Sequence, residues 1–137
     1  MSPNRKAVLD TNMLIDGDIE VADYDVAVAS ISWAELRFGV GRASDAAERA
    51  RRQVRLDALR RVLGAGLPFD DTAADIYGTL TELVSSMGRD PRRRALDLMI
   101  AATAAVHGAA VITRNIDDFA GVEQVVPIVD GRGAIGR

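Results

Sequence analysis

Short apolar runs alternate with helix-like segments along this chain, and that alternation constrains its fold more than any other feature. Residues 6–9, 25–30, 109–112 and 125–129 are mostly apolar runs of four to six residues. Continuous apolar runs of that length read as strands buried on both faces. Asp10-Thr11-Asn12 closes the first run and leads into a short helix at 13–15, which Gly17 ends. Ser32-Trp33-Ala34-Glu35 has the S-x-x-E pattern of a capping box and opens a helix to Val40. Residues 44–63 form a long helix rich in Arg and Ala. Ala73, Ile76, Tyr77, Leu80 and Val84 mark one face of an amphipathic helix. The helix from about 93 to 107 is apolar on nearly every side, which predicts a central, buried position. Ile116-Asp117-Asp118-Phe119 reads as one helical turn, and Pro127 makes 125–129 an edge strand. From Gly131 onward the tail reads as frayed. Strands alternating with helices predict one α/β domain over residues 1–137, its core spanning about 6–128. The central sheet is expected to be mostly parallel, with helices on both faces.

Composition removes several chemistries. The chain has no cysteine, so disulfides, thiolate metal sites and cysteine nucleophiles are excluded. His107 is the single histidine, too few for a multi-histidine zinc site, and it reads as a helix-terminal residue. Lys6 is the single lysine, which argues against an aspartyl-phosphate site built on Asp10, since such sites need a lysine late in the chain. No apolar run reaches the ~18 residues that span a bilayer, and the first six residues lack the apolar core of a secretion signal. A cytoplasmic protein without membrane association is expected. The net charge of −3 does not by itself favour nucleic acid. A nucleic-acid role would need a local basic patch or a metal that reverses the sign of an acidic site.

Ligands of open α/β sheets bind beyond the carboxyl ends of the strands, and acids gather there in this chain. Asp10 follows the first strand, Glu35 lies just past the second, and Asp97 opens the central helix. Asn115, Asp117 and Asp118 follow the third strand. Thr11, Asn12, Ser32 and Thr113 accompany them and would brace carboxylates. Each acid alone has a plain explanation as a helix cap, a dipole partner or a turn former. Together they repel, and a hard divalent cation relieves that repulsion. Oxygen ligands without sulfur and almost without imidazole point to Mg²⁺, with Mn²⁺ as substitute. Arg89, Arg92, Arg93 and Arg94 precede Asp97 and would guide a phosphate backbone. The arginines of the 44–63 helix read as solvent-facing or partner-facing, and Trp33 and Tyr77 as core. The competing reading is a binding module in which the acids serve only as caps.

Four segments occur in order: Val8-Leu9-Asp10-Thr11-Asn12, Ser30-Ile31-Ser32-Trp33-Ala34-Glu35-Leu36, Ala95-Leu96-Asp97-Leu98-Met99-Ile100-Ala101-Ala102, and Val111-Ile112-Thr113-Arg114-Asn115-Ile116-Asp117-Asp118-Phe119. Their order and spacing resemble the PIN-domain ribonucleases, and within them the VapC toxins of bacterial toxin–antitoxin pairs. The resemblance implies a single PIN-like domain and a metal-dependent endoribonuclease that leaves a 5′-phosphate and a 3′-hydroxyl. Asp10, Glu35 and Asp97 match the family's acidic ligands, with Asp10 and Asp97 on the principal ion. The place where many relatives carry a further aspartate is Asn115 here, so Asp118 is expected to take that role, with Asp117 as the other candidate. The resemblance also implies an RNA substrate and a homodimer. It further implies a small cognate antitoxin that blocks the site with a basic side chain.

Overall fold

The computed structural model describes residues 4–17 and 19–134. Strand β1 (Arg5–Leu9) runs into helix α1 (Thr11–Ile15), followed by β2 (Tyr24–Ala27) and α2 (Ser30–Gly41). Helices α3 (Ala46–Leu63) and α4 (Asp71–Ser86) come next. A 3-10 turn (Pro91–Arg94) leads into α5 (Ala95–Val106) and β3 (Ala110–Thr113). A second 3-10 turn (Ile116–Phe119), β4 (Ile128–Asp130) and α6 (Gly131–Ala134) complete the described chain.

The strands form one parallel sheet in the order β2-β1-β3-β4. Side chains alternate across it, as the two-residue period of a strand requires. Val8 and Val111 join the core against α4 and α5, with Ala73, Leu80, Leu98 and Ile100. Ala7, Leu9 and Ile112 join the opposite core, with Met13, Val28, Trp33, Leu56 and Leu59. Both faces are therefore covered, and α5 is central, as its all-round apolarity predicts. Trp33 is buried beneath the Arg60 guanidinium, and Tyr77 meets Phe69 edge to face at 6.0 Å. His107 is the C-terminal cap of α5. No helix among the described residues is long and apolar enough to cross a membrane.

Several boundaries differ from the sequence reading, and three of them have a clear local reason. Helix α2 starts at Ser30, not at Ser32, and no side chain caps it. Leu67 pairs with the backbone of Val28 and Ser30, which ends the strand early and turns the chain into the helix. Ser32 and Glu35 thus lie inside α2 and form no capping box. Pro127 precedes β4 rather than sitting within it, where its carbonyl accepts from the Val111 N–H at 2.9 Å. The chain from Gly131 is helical to Ala134, while the last three residues of the expected frayed tail lie outside the described residues. A Cβ at Gly131 would stand 2.4 Å from Met13 Sδ, so glycine lets α6 press against α1.

Candidate active site

The strand order places β2 on one side of β1 and β3 on the other, so the connections diverge at the β1–β3 seam. That divergence opens a crevice at the carboxyl edge. Asp10 ends β1 and Thr113 ends β3, and they meet across the seam. Thr113 Oγ1 donates to Asp10 Oδ2 at 2.8 Å. The other carboxylate oxygen of Asp10 accepts from the Thr11 N–H at 2.8 Å, which makes Asp10 the N-cap of α1. Burial raises the Asp10 pKa, these two hydrogen bonds oppose the rise, and the Asp118 charge adds to it.

Asn12 ties the same two chain segments together. Its Nδ2 donates to Thr113 Oγ1 at 3.2 Å, and its Oδ1 accepts from the Arg114 N–H at 3.2 Å. Thr113 Oγ1 also accepts from the Asn115 N–H at 3.1 Å. The Asp-Thr-Asn turn therefore locks the end of β1 to the end of β3.

Thr11 links that seam to α2. Its Oγ1 lies 2.8 Å from Glu35 Oε1 and 2.9 Å from Ser32 Oγ. A hydroxyl has one proton, so Thr11 donates to the carboxylate and accepts from Ser32, which is fully buried. Burial raises the Glu35 pKa, the Thr11 bond opposes that rise, and the Asp10 charge adds to it.

Asp97 lies in the first turn of α5. Burial, then the charges of Asp10, Asp118 and Glu35, push its pKa up to about 7, against a smaller opposing effect of Arg94. The charges of Asp10, Glu35 and Asp118 thus all reach Asp97, an acidic cluster drawn from the end of β1, α2, α5 and the turn after β3. The turn separates its two aspartates. Asp118 is partly buried and accepts a hydrogen bond from Arg94 Nη1. Asp117 is exposed and lies instead beside a small hollow with Glu123 and Asp130. Asn115 is exposed, and its side chain makes no capping bond.

The arginine run divides as well. Arg89, Arg92 and Arg93 are exposed, and Arg92 pairs with its neighbour Asp90 at 3.4 Å. Arg94 turns into the acidic cluster, a placement that the sequence reading did not assign to it. The signal was its position three residues before Asp97, the spacing of helical neighbours. Arg114, the cation that the sequence puts beside the strand end, pairs with Asp16 at 3.0 Å.

Among the described residues, no group of three acidic or histidine side chains is arranged as a ready-made ion cage. The oxygens of Asp10, Glu35 and Asp118 rest instead on Thr11, Thr113 and Arg94 as internal donors. In kind, this set of hard carboxylate oxygens suits a divalent cation such as Mg²⁺. A cleft of about 470 Å³ opens beside Thr11 and Glu35, floored by Leu36, Leu56 and Leu59 and edged by Arg52 and Arg55.

The chain matches the PIN domain model over residues 7–124. It is 39% identical over 98 residues to Ribonuclease VapC5 of Mycobacterium tuberculosis, covering 72% of this chain and 69% of that protein. It is 35% identical over 97 residues to Toxin FitB of Neisseria gonorrhoeae, covering 69% of this chain and 68% of that protein. The crystal structure of VapBC-5, a member of the VapBC family of toxin–antitoxin systems from Mycobacterium tuberculosis, aligns with a TM-score of 0.74 at 34% identity. That alignment covers 90% of this chain and 97% of the other. The FitAcB structure from Neisseria gonorrhoeae aligns with a TM-score of 0.74 at 26% identity, covering 92% and 98%.

Proposed function

The chain belongs to the PIN domain family, and from that premise we propose that it is a magnesium-dependent endoribonuclease, the toxin of a type II toxin–antitoxin pair. One observation carries the chemistry: four carboxylates come from separate elements, and burial, followed by the charges of Asp10, Asp118 and Glu35, raises the Asp97 pKa to about 7. Such a cluster favours a cation bound among its members. The names of the relatives, a ribonuclease and a toxin, support the substrate class and the biological role. The solved VapBC-5 toxin–antitoxin system supports a cognate antitoxin as partner. A homodimer and a cytoplasmic location, where RNA is available, complete the reading.

Asp10 and Asp97 would hold the ion, with Mn²⁺ able to replace Mg²⁺. Bound there, the ion would neutralise charge at the phosphoryl group and help water act as nucleophile at neutral pH. The protein's own groups do the rest. Thr113 and the Thr11 N–H fix both oxygens of Asp10, so that ligand is pre-aimed. Glu35, held by Thr11 and raised in pKa by burial, is the base that takes the proton of the attacking water. Asp118, whose charge acts on Asp10 and Asp97, is held by Arg94. Exposed Arg89, Arg92 and Arg93, close in sequence to Asp97, would meet the RNA backbone by charge.

Brief expression followed by sequencing of RNA ends tests the reading, beside an Asp10→Ala control. New 5′-phosphate ends that vanish in the control are expected. In parallel, purified antitoxin-free protein should melt higher with millimolar Mg²⁺ and return on chelation. Indifference of the melting temperature to Mg²⁺, together with unchanged RNA ends, would leave the acids as caps and the chain as a binding module.

A further inference from the structure

Arg94 differs from the other arginines of its run. It stands at the N-cap of α5, three residues before Asp97 and half-buried, and its Nη1 donates to Asp118 Oδ1. Three carboxylates act on Asp97, and Arg94 is the cation set against them. Arg114 is committed to Asp16. Asn115, the residue after β3 nearest the strand end after Arg114, is neutral and exposed.

We infer that Arg94 is a built-in cation of the active site: by holding Asp118 it would keep that carboxylate from metal coordination, so that the chain takes up a single ion. The inference rests on the metal-dependent reading above and says how many ions that site accepts. The asymmetry of the cluster is its basis. Asp10 rests on one hydroxyl and one amide donor, so an ion at Asp10 competes only with those. Asp118 is the acid of the segment after β3 that reaches the cluster, and the guanidinium already holds it. Charge-assisted bonds of this kind are about twice as strong as neutral ones. A second dication at Asp118 would have to displace the guanidinium and then sit beside it in a partly desolvated site, where like charges repel strongly.

The arrangement has a catalytic consequence. An arginine's charge is permanent under physiological conditions, and a guanidinium has five N–H donors, of which the Asp118 bond uses one. Arg94 therefore keeps one positive charge at this corner at any magnesium concentration. It acts through Asp118 as a positioning residue.

Calorimetric titration of Mn²⁺ into the metal-free, full-length protein tests the inference. Wild-type protein should take up one ion per chain. Arg94→Gln should take up two, with the first bound several-fold more tightly because a repelling charge has gone. Arg94→Lys, which keeps the charge, should remain at one, as should Arg92→Gln. Two ions per wild-type chain would overturn the inference whether or not the variants fold. A folded Arg94→Gln protein that still binds one ion would overturn it as well. No uptake by the wild type would instead remove the metal-dependent reading itself, and this inference with it.

Discussion

Replacing Asp97 with Asn should stabilise the metal-free protein while abolishing RNA cleavage. In the folded chain the Asp97 pKa rises from 3.8 to about 7. Between those two values the folded state binds more protons at this residue than the unfolded state. Stability therefore falls as pH rises through that window and is fully restored below it. Roughly 3 pH units at about 1.4 kcal/mol each set a ceiling near 4 kcal/mol on the cost of the ionised carboxylate. Asp97 is only partly buried, so solvent screening reduces this to about 1–2 kcal/mol. For a domain of this size that corresponds to a gain of roughly 4–8 °C in melting temperature at pH 8. Thermal unfolding by circular dichroism, in chelator and at pH 5, 6, 7 and 8, measures the difference between variant and wild type. The difference should shrink toward zero as pH falls and Asp97 takes up its proton. With millimolar Mg²⁺ the order should reverse, because only the wild type keeps the ligand. A variant that melts lower than wild type at pH 8 without metal, or a difference equal at pH 5 and pH 8, would refute the reasoning and make Asp97 a structural residue.

Thr113→Val removes the hydroxyl that holds Asp10 and accepts from Asn12 and Asn115. It should cost about 1–3 kcal/mol in chemical denaturation, as expected when a buried hydrogen-bond hub is lost, and should slow cleavage at saturating Mg²⁺. Asp118→Ala should lose most RNA cleavage and Asn115→Ala should keep it; equal activities in a gel-based assay would remove Asp118 from the site. Two glycines should respond in opposite senses. A Cβ at Gly66 would lie 2.8 Å from the backbone of Ser30, so Gly66→Ala should destabilise by about 1–3 kcal/mol. Gly78, inside α4 with open space around it, should gain about 0.5–1 kcal/mol on change to Ala. Urea denaturation midpoints read both.

Much of this architecture was legible because it follows from period and polarity. Val8, Leu9, Val111 and Ile112 are apolar on both sides of the sheet, and only a strand sandwiched between helices needs that pattern. Residues 95–106 are apolar on nearly every side, and a central helix needs that. The boundaries were less legible where two local signals compete. Ser32 and Glu35 have the spacing of a capping box, yet their side chains converge on Thr11 across 24 positions of sequence or fewer. A cap is a local bond, and nothing within four residues reveals that a distant threonine will claim both groups.

The same limit explains the two corners of the site that sequence reasoning left open. Asp117 and Asp118 are adjacent and chemically alike, but a 3-10 turn advances a third of a revolution per residue, so only one of them can face the cluster. The choice follows from Phe119, fully buried, which pins the turn to the core and so sets its phase. Three consecutive arginines, Arg92 to Arg94, likewise look equivalent as a charge run. The passage from 3-10 turn to α5 at Ala95 separates them, leaving Arg94 in helical register with Asp97 and the other two in solvent. Which charges meet in this site is therefore decided by the phase of two short turns, one on each side of α5 and β3. Those turns are fixed by long-range packing, which a run of like residues does not by itself reveal. Changes that reset this phase without touching a charged residue, such as Phe119→Ala, should uncouple Asp118 from Arg94 while leaving the sheet intact.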